Sequence, residues 1–183
     1  GDGWTDFWGG TVFFKNLGGG TFSRHEVGTT FSHDSQFEDI NGDGRMDGLA
    51  NWDQYGLVWY EIPDDPTQAW TEHMIAPFKE HKAHGDVSPH AAADLGGDGD
   101  TDVVTGRAWY ENVDGPGLQW RKHGNIDFGE EHKYGIAVRT WVGDMDGDGD
   151  QDVATTEENG GWGGIGFENP KLVRENAQQK DEE

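Results

Sequence analysis

The sequence predicts an all-β fold built from repeated units of four short antiparallel strands. Its composition is the first observation behind this prediction, because 183 residues include 30 Gly, nine Trp and nine Phe. Such a composition, without long apolar runs, is typical of many short strands joined by tight turns. The second observation is an acidic motif that recurs three times at intervals of about fifty residues, a period found in propellers and solenoids. The third is that segments with a strand pattern flank each copy.

The three motifs share the spacing of their acidic side chains and of the glycines between them. They read DINGDGRMD at 39–47, DLGGDGDTD at 94–102 and DMDGDGDQD at 144–152. Carboxylate and amide oxygens at every second position suit Ca²⁺, which takes about six to eight oxygen ligands. The intervening glycines allow the sharp turn that brings these oxygens together. The motifs therefore predict three calcium-binding loops.

An EF-hand loop begins in the same way and is the main structural alternative. It requires a bidentate Glu at its twelfth position and a helix on either side. The twelfth residues here are Ala50, Thr105 and Thr155, and the flanking segments read as strands. An acidic turn without metal explains a single copy, but three copies in register favour calcium loops between strands.

The strands are predicted in order around each loop. One strand precedes the loop, a second follows it, a third ends in an aromatic residue and an acid, and a fourth carries an aromatic-x-x-His pattern. Four strands per unit, with the loop joining the first two, form a propeller blade. The strands before the loops are 36–40, 91–95 and 138–145, those after them 48–52, 103–106 and 153–156, the third strands 56–62, 107–112 and 164–169, and the fourth 22–25, 70–73 and 120–123.

The predicted blades are out of phase with the ends of the chain. They cover about 1–34, 35–85, 86–135 and 136–170, followed by a polar tail over 171–183. Residues 1–6 have the pattern of the second half of a fourth calcium loop. The predicted strands number three, four, four and three, or about three and a half blades of four strands each. We therefore expect a propeller segment that belongs to a larger chain or closes by self-association.

The loop followed by an alternating strand resembles the FG-GAP/VCBS repeat family, whose blades also form the heads of integrin alpha subunits. This resemblance implies a calcium-loaded propeller in which the first, third, fifth and ninth loop positions supply side-chain ligands and the seventh supplies its carbonyl oxygen. Gly96 stands at the third position of the second loop, so we expect that site to be the weakest. The implied ligands are Asp39, Asn41, Asp43, Arg45 and Asp47; Asp94, Asp98, Asp100 and Asp102; and Asp144, Asp146, Asp148, Asp150 and Asp152.

The composition of the chain excludes several classes of partner and chemistry. The net charge of −23 argues against nucleic acid, because phosphate binding needs clustered Lys and Arg. No apolar stretch approaches the length of about eighteen residues that marks a membrane helix, so membrane insertion is not expected. The chain has no Cys, and thiol chemistry and disulfides are excluded. Calcium loops suit a secreted or periplasmic protein, because Ca²⁺ is abundant there.

The histidine residues suggest an alternative function, in which they bind a sugar or act as catalytic groups. His25, His73 and His123 recur at one blade position beside an aromatic residue, which favours a structural role. Inter-blade segments and inner strands line the mouth of a propeller, where His residues could bind a sugar or act as acid and base in a lyase. The candidates of this second group are His81, His84, His90 and His132.

The WYE-x-P segment at 59–63, followed by Trp70 and His73, also resembles the propeller of aldos-2-ulose dehydratase-like sugar enzymes. Some tryptophans could stack on sugar rings, although packing between blades is the more common role of Trp in propellers. These are Trp4, Trp8, Trp52, Trp141 and Trp162.

The sequence therefore favours a secreted calcium-binding propeller segment that serves recognition, adhesion or assembly, with a glycan or protein ligand. The alternative is a carbohydrate-active dehydratase or lyase with a histidine-rich mouth. The residues alone leave open whether the chain is an enzyme.

Overall fold

The computed structural model describes residues 2–52, 54–81, 87–105, 108–124, 136–157 and 165–168. For residues 81, 136–138, 157 and 165–168 it describes the backbone only. Within these ranges there is one short helix, α1 at Phe78–His81. The strands are β1 Phe7–Gly9, β2 Val12–Gly18, β3 Thr21–Glu26, β4 Asp34–Glu38, β5 Asp47–Trp52, β6 Gly56–Glu61, β7 Thr71–Pro77, β8 Pro89–His90, β9 Ala92–Ala93, β10 Asp102–Thr105, β11 Ala108–Asn112, β12 Trp120–Gly124, β13 Ile136–Gly143, β14 Asp152–Glu157 and β15 Ile165–Glu168.

These strands form four sheets, which we number in chain order. The first sheet is β1-β2-β3, the second β4-β5-β6-β7, the third β9-β10-β11-β12, and the fourth β8-β13-β14-β15. Every pairing is antiparallel except that of β8 with β13, which is parallel. The predicted all-β class with four-stranded antiparallel sheets is therefore confirmed. The described strands do not close into a ring.

Two details of the strands differ from the sequence prediction. The strands before the three loops end at Glu38, Ala93 and Gly143, each two residues before the predicted end, and only Ala92–Ala93 of the expected strand 91–95 forms β9. The Leu95 amide, two residues beyond β9, donates to the Asp102 carboxylate at 3.1 Å and to the Ala93 carbonyl at 3.0 Å. The second difference is β8, a two-residue strand of the third unit that pairs with the fourth sheet through Pro89 opposite Thr140 and His90 opposite Trp141. The predicted tail 171–183 lies outside the described residues.

The core consists of apolar layers between consecutive sheets. In β6, Trp59 packs towards the third sheet and Tyr60 towards the first, because neighbouring residues of a strand point to opposite faces. In β11, Tyr110 packs towards the second sheet and Trp109 towards the fourth. Trp59 is only 1% exposed, and full burial of a large apolar side chain contributes roughly 1.5 to 3 kcal/mol. The sheets therefore stack face to face in chain order.

The aromatic-x-x-His histidines lie on this repeated framework. His73 stacks on Trp59 with ring centroids 4.3 Å apart, and His123 stacks on Trp109 at 4.2 Å. His25 stands opposite Phe13 in the same register and shares a hydrogen bond with Ser23. This packing fits the structural role that the sequence assigned to these three side chains.

The order of strands also fixes where the acidic loops lie. The loops connect β4 to β5, β9 to β10 and β13 to β14, the equivalent neighbouring strands of three sheets, so the three loops share one edge of the stack. Thr101 of the second loop donates a hydrogen bond to the carbonyl of Asp39 in the first at 2.8 Å. The second and third loops line a common cavity of about 140 Å³. None of the helices described is long and apolar enough to span a membrane.

Candidate functional site

The first loop is held by hydrogen bonds from its own backbone to its acidic side chains. The Asp39 carboxylate accepts from the amides of Asp43 at 3.1 Å and Gly44 at 2.8 Å. The Asn41 side chain accepts from the Asp43 amide at 3.0 Å. Gly42 and Gly44 have φ values of +71° and +84°, which residues with a Cβ rarely adopt. The glycines therefore let the chain curl around the carboxylates.

The other two loops repeat this arrangement. Asp94 accepts from the amides of residues 98 and 99 at 3.0 Å each. Asp144 accepts from those of residues 147 and 149 at 2.7 and 3.1 Å. At the seventh position, the amides of Asp100 and Asp150 donate to the carboxylates of Asp98 and Asp148. The three motifs thus fold alike, as their common spacing predicted.

The last carboxylate of each loop is tied back to the loop and to the sheet. Asp102 accepts from the amides of Leu95 at 3.1 Å, Gly96 at 2.9 Å and Asn112 at 2.9 Å. Asp47 accepts from the Ile40 amide at 3.2 Å, and Asp152 accepts from that of residue 145 at 3.0 Å. These carboxylates begin β5, β10 and β14, so each loop closes onto the first residue of a strand.

Two of these closing carboxylates are buried, and burial changes their acidity. Asp47 is 2% exposed and Asp102 is fully buried. Burial raises the pKa of Asp47 to about 6 and that of Asp102 to about 7, although their backbone hydrogen bonds act in the opposite direction. Burial disfavours the charged form of a carboxylate unless a positive charge compensates it. A bound cation would supply that charge.

The third loop brings three of its candidate carboxylate ligands close together. Oxygen atoms of Asp144, Asp146 and Asp152 all lie within 4.8 Å of one another. The second loop has Gly96 where the third has Asp146, and the Gly96 amide is directed to Asp102. The second loop therefore offers one side-chain oxygen ligand fewer.

The first loop contains a positively charged side chain whose contacts its sequence spacing did not predict. Arg45 was expected to contribute its carbonyl oxygen, but its guanidinium also contacts the Asp43 carboxylate at 3.0 and 3.1 Å and Asp64 at 2.7 Å. The hydrogen bond from Arg45 lowers the pKa of Asp43. The signal was present in the sequence as opposite charges two residues apart in a turn.

Residues near the amino terminus support the predicted half of a fourth loop. The Asp6 carboxylate accepts from the Asn16 amide at 2.8 Å. Asp102 accepts from the Asn112 amide at 2.9 Å in the corresponding place of the third sheet. Asp6 therefore occupies the closing position of the repeat.

Of the four histidines predicted for a polar mouth, the structure describes the side chain of His90 alone. It lies on β8, with its ring 5.4 Å from that of Trp141 and its Nδ1 3.8 Å from Glu38. His81 ends α1 and its side chain is outside the described part of the chain, as are His84 and His132. The structure therefore neither assembles nor separates the predicted histidine cluster.

The tryptophans predicted as sugar contacts divide into two groups. Trp8 packs against Phe37, Tyr60 and Trp70, and Trp52 packs against Phe31, so both belong to the packing between strands. Trp4 and Trp141 are 57% and 52% exposed. Trp162 lies outside the described residues.

Comparisons of the chain with known protein families, curated proteins and solved structures find no match.

Proposed function

We propose that this chain is a calcium-binding module of the FG-GAP/VCBS type, secreted or periplasmic, whose Ca²⁺ ions stabilise stacked blades for recognition or assembly. The observation that carries the proposal is the repetition of one loop geometry in three successive sheets. All three loops lie at the same edge of the stack, and in each the first carboxylate accepts from the amide of the sixth residue. Repetition of this kind is not expected of ordinary acidic turns.

The donor set fits calcium. Every candidate side-chain ligand is a carboxylate or amide oxygen, the hard donor that Ca²⁺ prefers over Cys or His. The buried Asp47 and Asp102 lack the water that normally stabilises a carboxylate. A bound Ca²⁺ would neutralise these charges, while the residues themselves fix the loop and join it to the next strand.

Stacking of the sheets supports a propeller as the larger architecture. Tyr60 and Tyr110 each pack on the preceding sheet. Phe14 occupies the equivalent place in the first sheet, since it pairs with Arg24 as Tyr110 pairs with Lys122. Its neighbours Phe7 and Phe22 are 56% and 41% exposed, with ring centroids 5.1 Å apart. This aromatic face suits another blade, from a second copy or from a longer chain.

Thermal melts in EDTA and in millimolar calcium test the proposal. Ligand that binds only the folded state stabilises it by about 2.7 kcal/mol per site at a hundredfold excess over Kd. We expect a large rise of Tm in calcium, no comparable rise in magnesium, and saturation at up to three ions per chain by calorimetry. A melting temperature unchanged by both EDTA and calcium would refute the calcium module.

A further inference from the structure

Two sheet faces, one at each end of the stack, are not covered by another sheet of the described residues. We call the side of the first sheet that is turned away from the second sheet the leading face. The side of the fourth sheet that is turned away from the third sheet is the trailing face. Both faces carry exposed aromatic side chains, whereas the aromatic side chains between consecutive sheets are largely buried.

Three phenylalanines lie on the leading face. Phe13 packs towards the second sheet, so its neighbour Phe14 points to the opposite side of β2. Phe7 is the cross-strand partner of Phe14, and its ring lies 5.1 Å from that of Phe22. Phe7 and Phe22 are both exposed. Exposed aromatic side chains grouped in this way mark an interaction surface.

Trp141 lies on the trailing face. Val142 and Val153 pack towards the third sheet, so their neighbours Trp141 and Ala154 point away from it. Trp141 and Ala154 are cross-strand partners, and the Trp141 side chain is 52% exposed. The trailing face therefore also offers an aromatic contact.

Inside the stack, a polar residue of β7 binds the unit that precedes its sheet. Glu72 lies opposite Tyr60 in the pair β6-β7, on the face turned to the first sheet. Its carboxylate accepts hydrogen bonds from the hydroxyl groups of Thr29 at 2.9 Å and Thr30 at 2.8 Å. Both threonines belong to the segment between β3 and β4 that connects the first sheet to the second. Glu72 therefore fastens its sheet to the unit before it.

The equivalent residues of the third and first sheets are basic. Lys122 has this position in β12, and its Nζ donates to the carbonyl oxygen of Glu80, in the segment between the second and third sheets. Arg24 has it in β3, opposite Phe14. Its guanidinium pairs with Glu26 at 3.0 Å and remains 55% exposed. By position, Arg24 is thus the contact residue for a unit that would precede the first sheet.

Trp141 has the same position in the fourth sheet as Gln36 has in the second. Gln36 lies opposite Leu49 and Trp141 lies opposite Ala154, each partner being the second residue after a closing Asp. The Gln36 side chain accepts from the Ala91 amide of the third unit at 2.7 Å. This position therefore contacts the unit that follows, and Trp141 is placed to do the same.

We infer that the chain assembles head to tail with a second copy of itself, the leading face of one copy packing on the trailing face of the other. The two faces repeat the positions that meet between consecutive sheets of this chain, so a second copy is their matching partner. Phe7, Phe22 and Trp141 supply the aromatic contact. Arg24 supplies a cation to a partner with a net charge of −23. The inference deepens the assembly role proposed above and rests on the stacked blades proposed there.

An interface between two different faces either closes into a ring or continues as an open filament. Two copies contain about eight sheets, and known propellers have about four to eight blades. Three copies would exceed that range. Two copies should therefore close a ring with two identical interfaces.

Sedimentation equilibrium of the full chain in calcium tests the assembly. The wild type should have twice the mass of the 20.2 kDa chain. Phe22→Asp places a carboxylate on the leading face and Trp141→Asp places one on the trailing face, so each variant alone should be monomeric. An equimolar mixture should form one-to-one heterodimers, because the intact trailing face of the first variant can pack on the intact leading face of the second.

Two more variants make the test specific to these faces. Arg24→Glu changes an exposed side chain of the leading face without removing an aromatic ring, and should also weaken the dimer. Leu118→Asp is the matched control, because it adds the same charge to a side chain that is 60% exposed in the turn between β11 and β12. It should remain dimeric. Melting curves establish that each variant is folded.

The proposal is overturned by a monomeric wild type, by growth beyond two copies, or by a mixture of the two Asp variants that stays monomeric. A dimer that is lost in Phe22→Asp but kept in Trp141→Asp also overturns it, because the leading faces would then pack on each other. Loss of the dimer in Leu118→Asp overturns it as well, since the added charge alone would be responsible. A monomeric wild type with a calcium-dependent melt leaves the calcium module intact, and a dimer with a calcium-independent melt refutes that module alone.

Discussion

Replacing Asp102 with Asn should have opposite effects with and without calcium. Asp102 is fully buried, and its two oxygens accept three backbone hydrogen bonds. Asn has nearly the same shape but no charge, and its NH₂ group faces one backbone donor. The variant therefore removes the charge that calcium would use, at the cost of at least one hydrogen bond.

Without calcium, the effect of Asp102 on the free energy of unfolding follows from the pKa of its carboxyl group. Burial raises its pKa from 3.8 to about 7, so the folded protein holds a proton that the unfolded chain has released. The contribution of the protonated Asp102 carboxyl to the free energy of unfolding is fully present below about pH 4. It declines as the pH rises and is lost once the pH passes about 7. The loss is at most about 4 kcal/mol. The Asp102→Asn variant avoids this loss but forfeits a buried hydrogen bond, about 1 to 3 kcal/mol.

With calcium, the wild type should be more stable than Asp102→Asn. Wild-type protein gains about 2.7 kcal/mol per site at a hundredfold excess of ligand over Kd, and each kcal/mol raises Tm by about 2 to 4 °C in a domain of this size. One functional loop is thus worth about 5 to 10 °C. Asp102→Asn should lose this increment while melting at or above the wild-type temperature in EDTA at pH 8.

Circular dichroism melts of both proteins across pH 4 to 8, with EDTA or calcium, measure these differences. Glu26→Gln serves as the control, because it removes one charge from a side chain that is 75% exposed and should change neither the pH slope nor the calcium response. If Asp102→Asn lowers Tm equally in EDTA and in calcium, Asp102 is only a hydrogen-bonding residue and its metal role is refuted.

Two further predictions concern affinity and assembly. The third loop should bind calcium more tightly than the second, because Asp146 supplies an oxygen ligand that Gly96 cannot. In calorimetry, Asp148→Ala should therefore remove the tightest binding step and Asp98→Ala a weaker one. The reverse order would contradict this ranking of the two sites. The aromatic face of the first sheet should mediate self-association, so Phe22→Ser should lower the mass measured by light scattering. A wild-type protein that is already monomeric would contradict this prediction.

The sequence predicted most of what depends on neighbours in the chain. The hydrogen bonds to the first carboxylate of each loop join residues at most five positions apart, such as Asp39 and Gly44, so the spacing of Asp and Gly was sufficient to predict them. The recurring aromatic residue followed by an acid predicted the strand that carries Trp59 and Tyr60, and their facing opposite layers follows from the two-residue period of a strand. The ends of the strands before the loops were placed two residues too late, because the closing carboxylate of each loop accepts from the backbone amide of the second loop residue.

Contacts between residues far apart in the chain were decided by the tertiary structure alone. The pairing of Asp34 with Arg139 joins the second sheet to the fourth, and the contact of His90 with Trp141 arises because β8 pairs with β13 within the fourth sheet. No spacing in the sequence encodes either contact. The same holds for the acidity of Asp102, since burial depends on everything packed around a side chain rather than on its neighbours in the chain. Local spacing therefore determined the loops and strands, while the stacking of sheets determined which carboxylates lost their water and which inner-strand side chains meet.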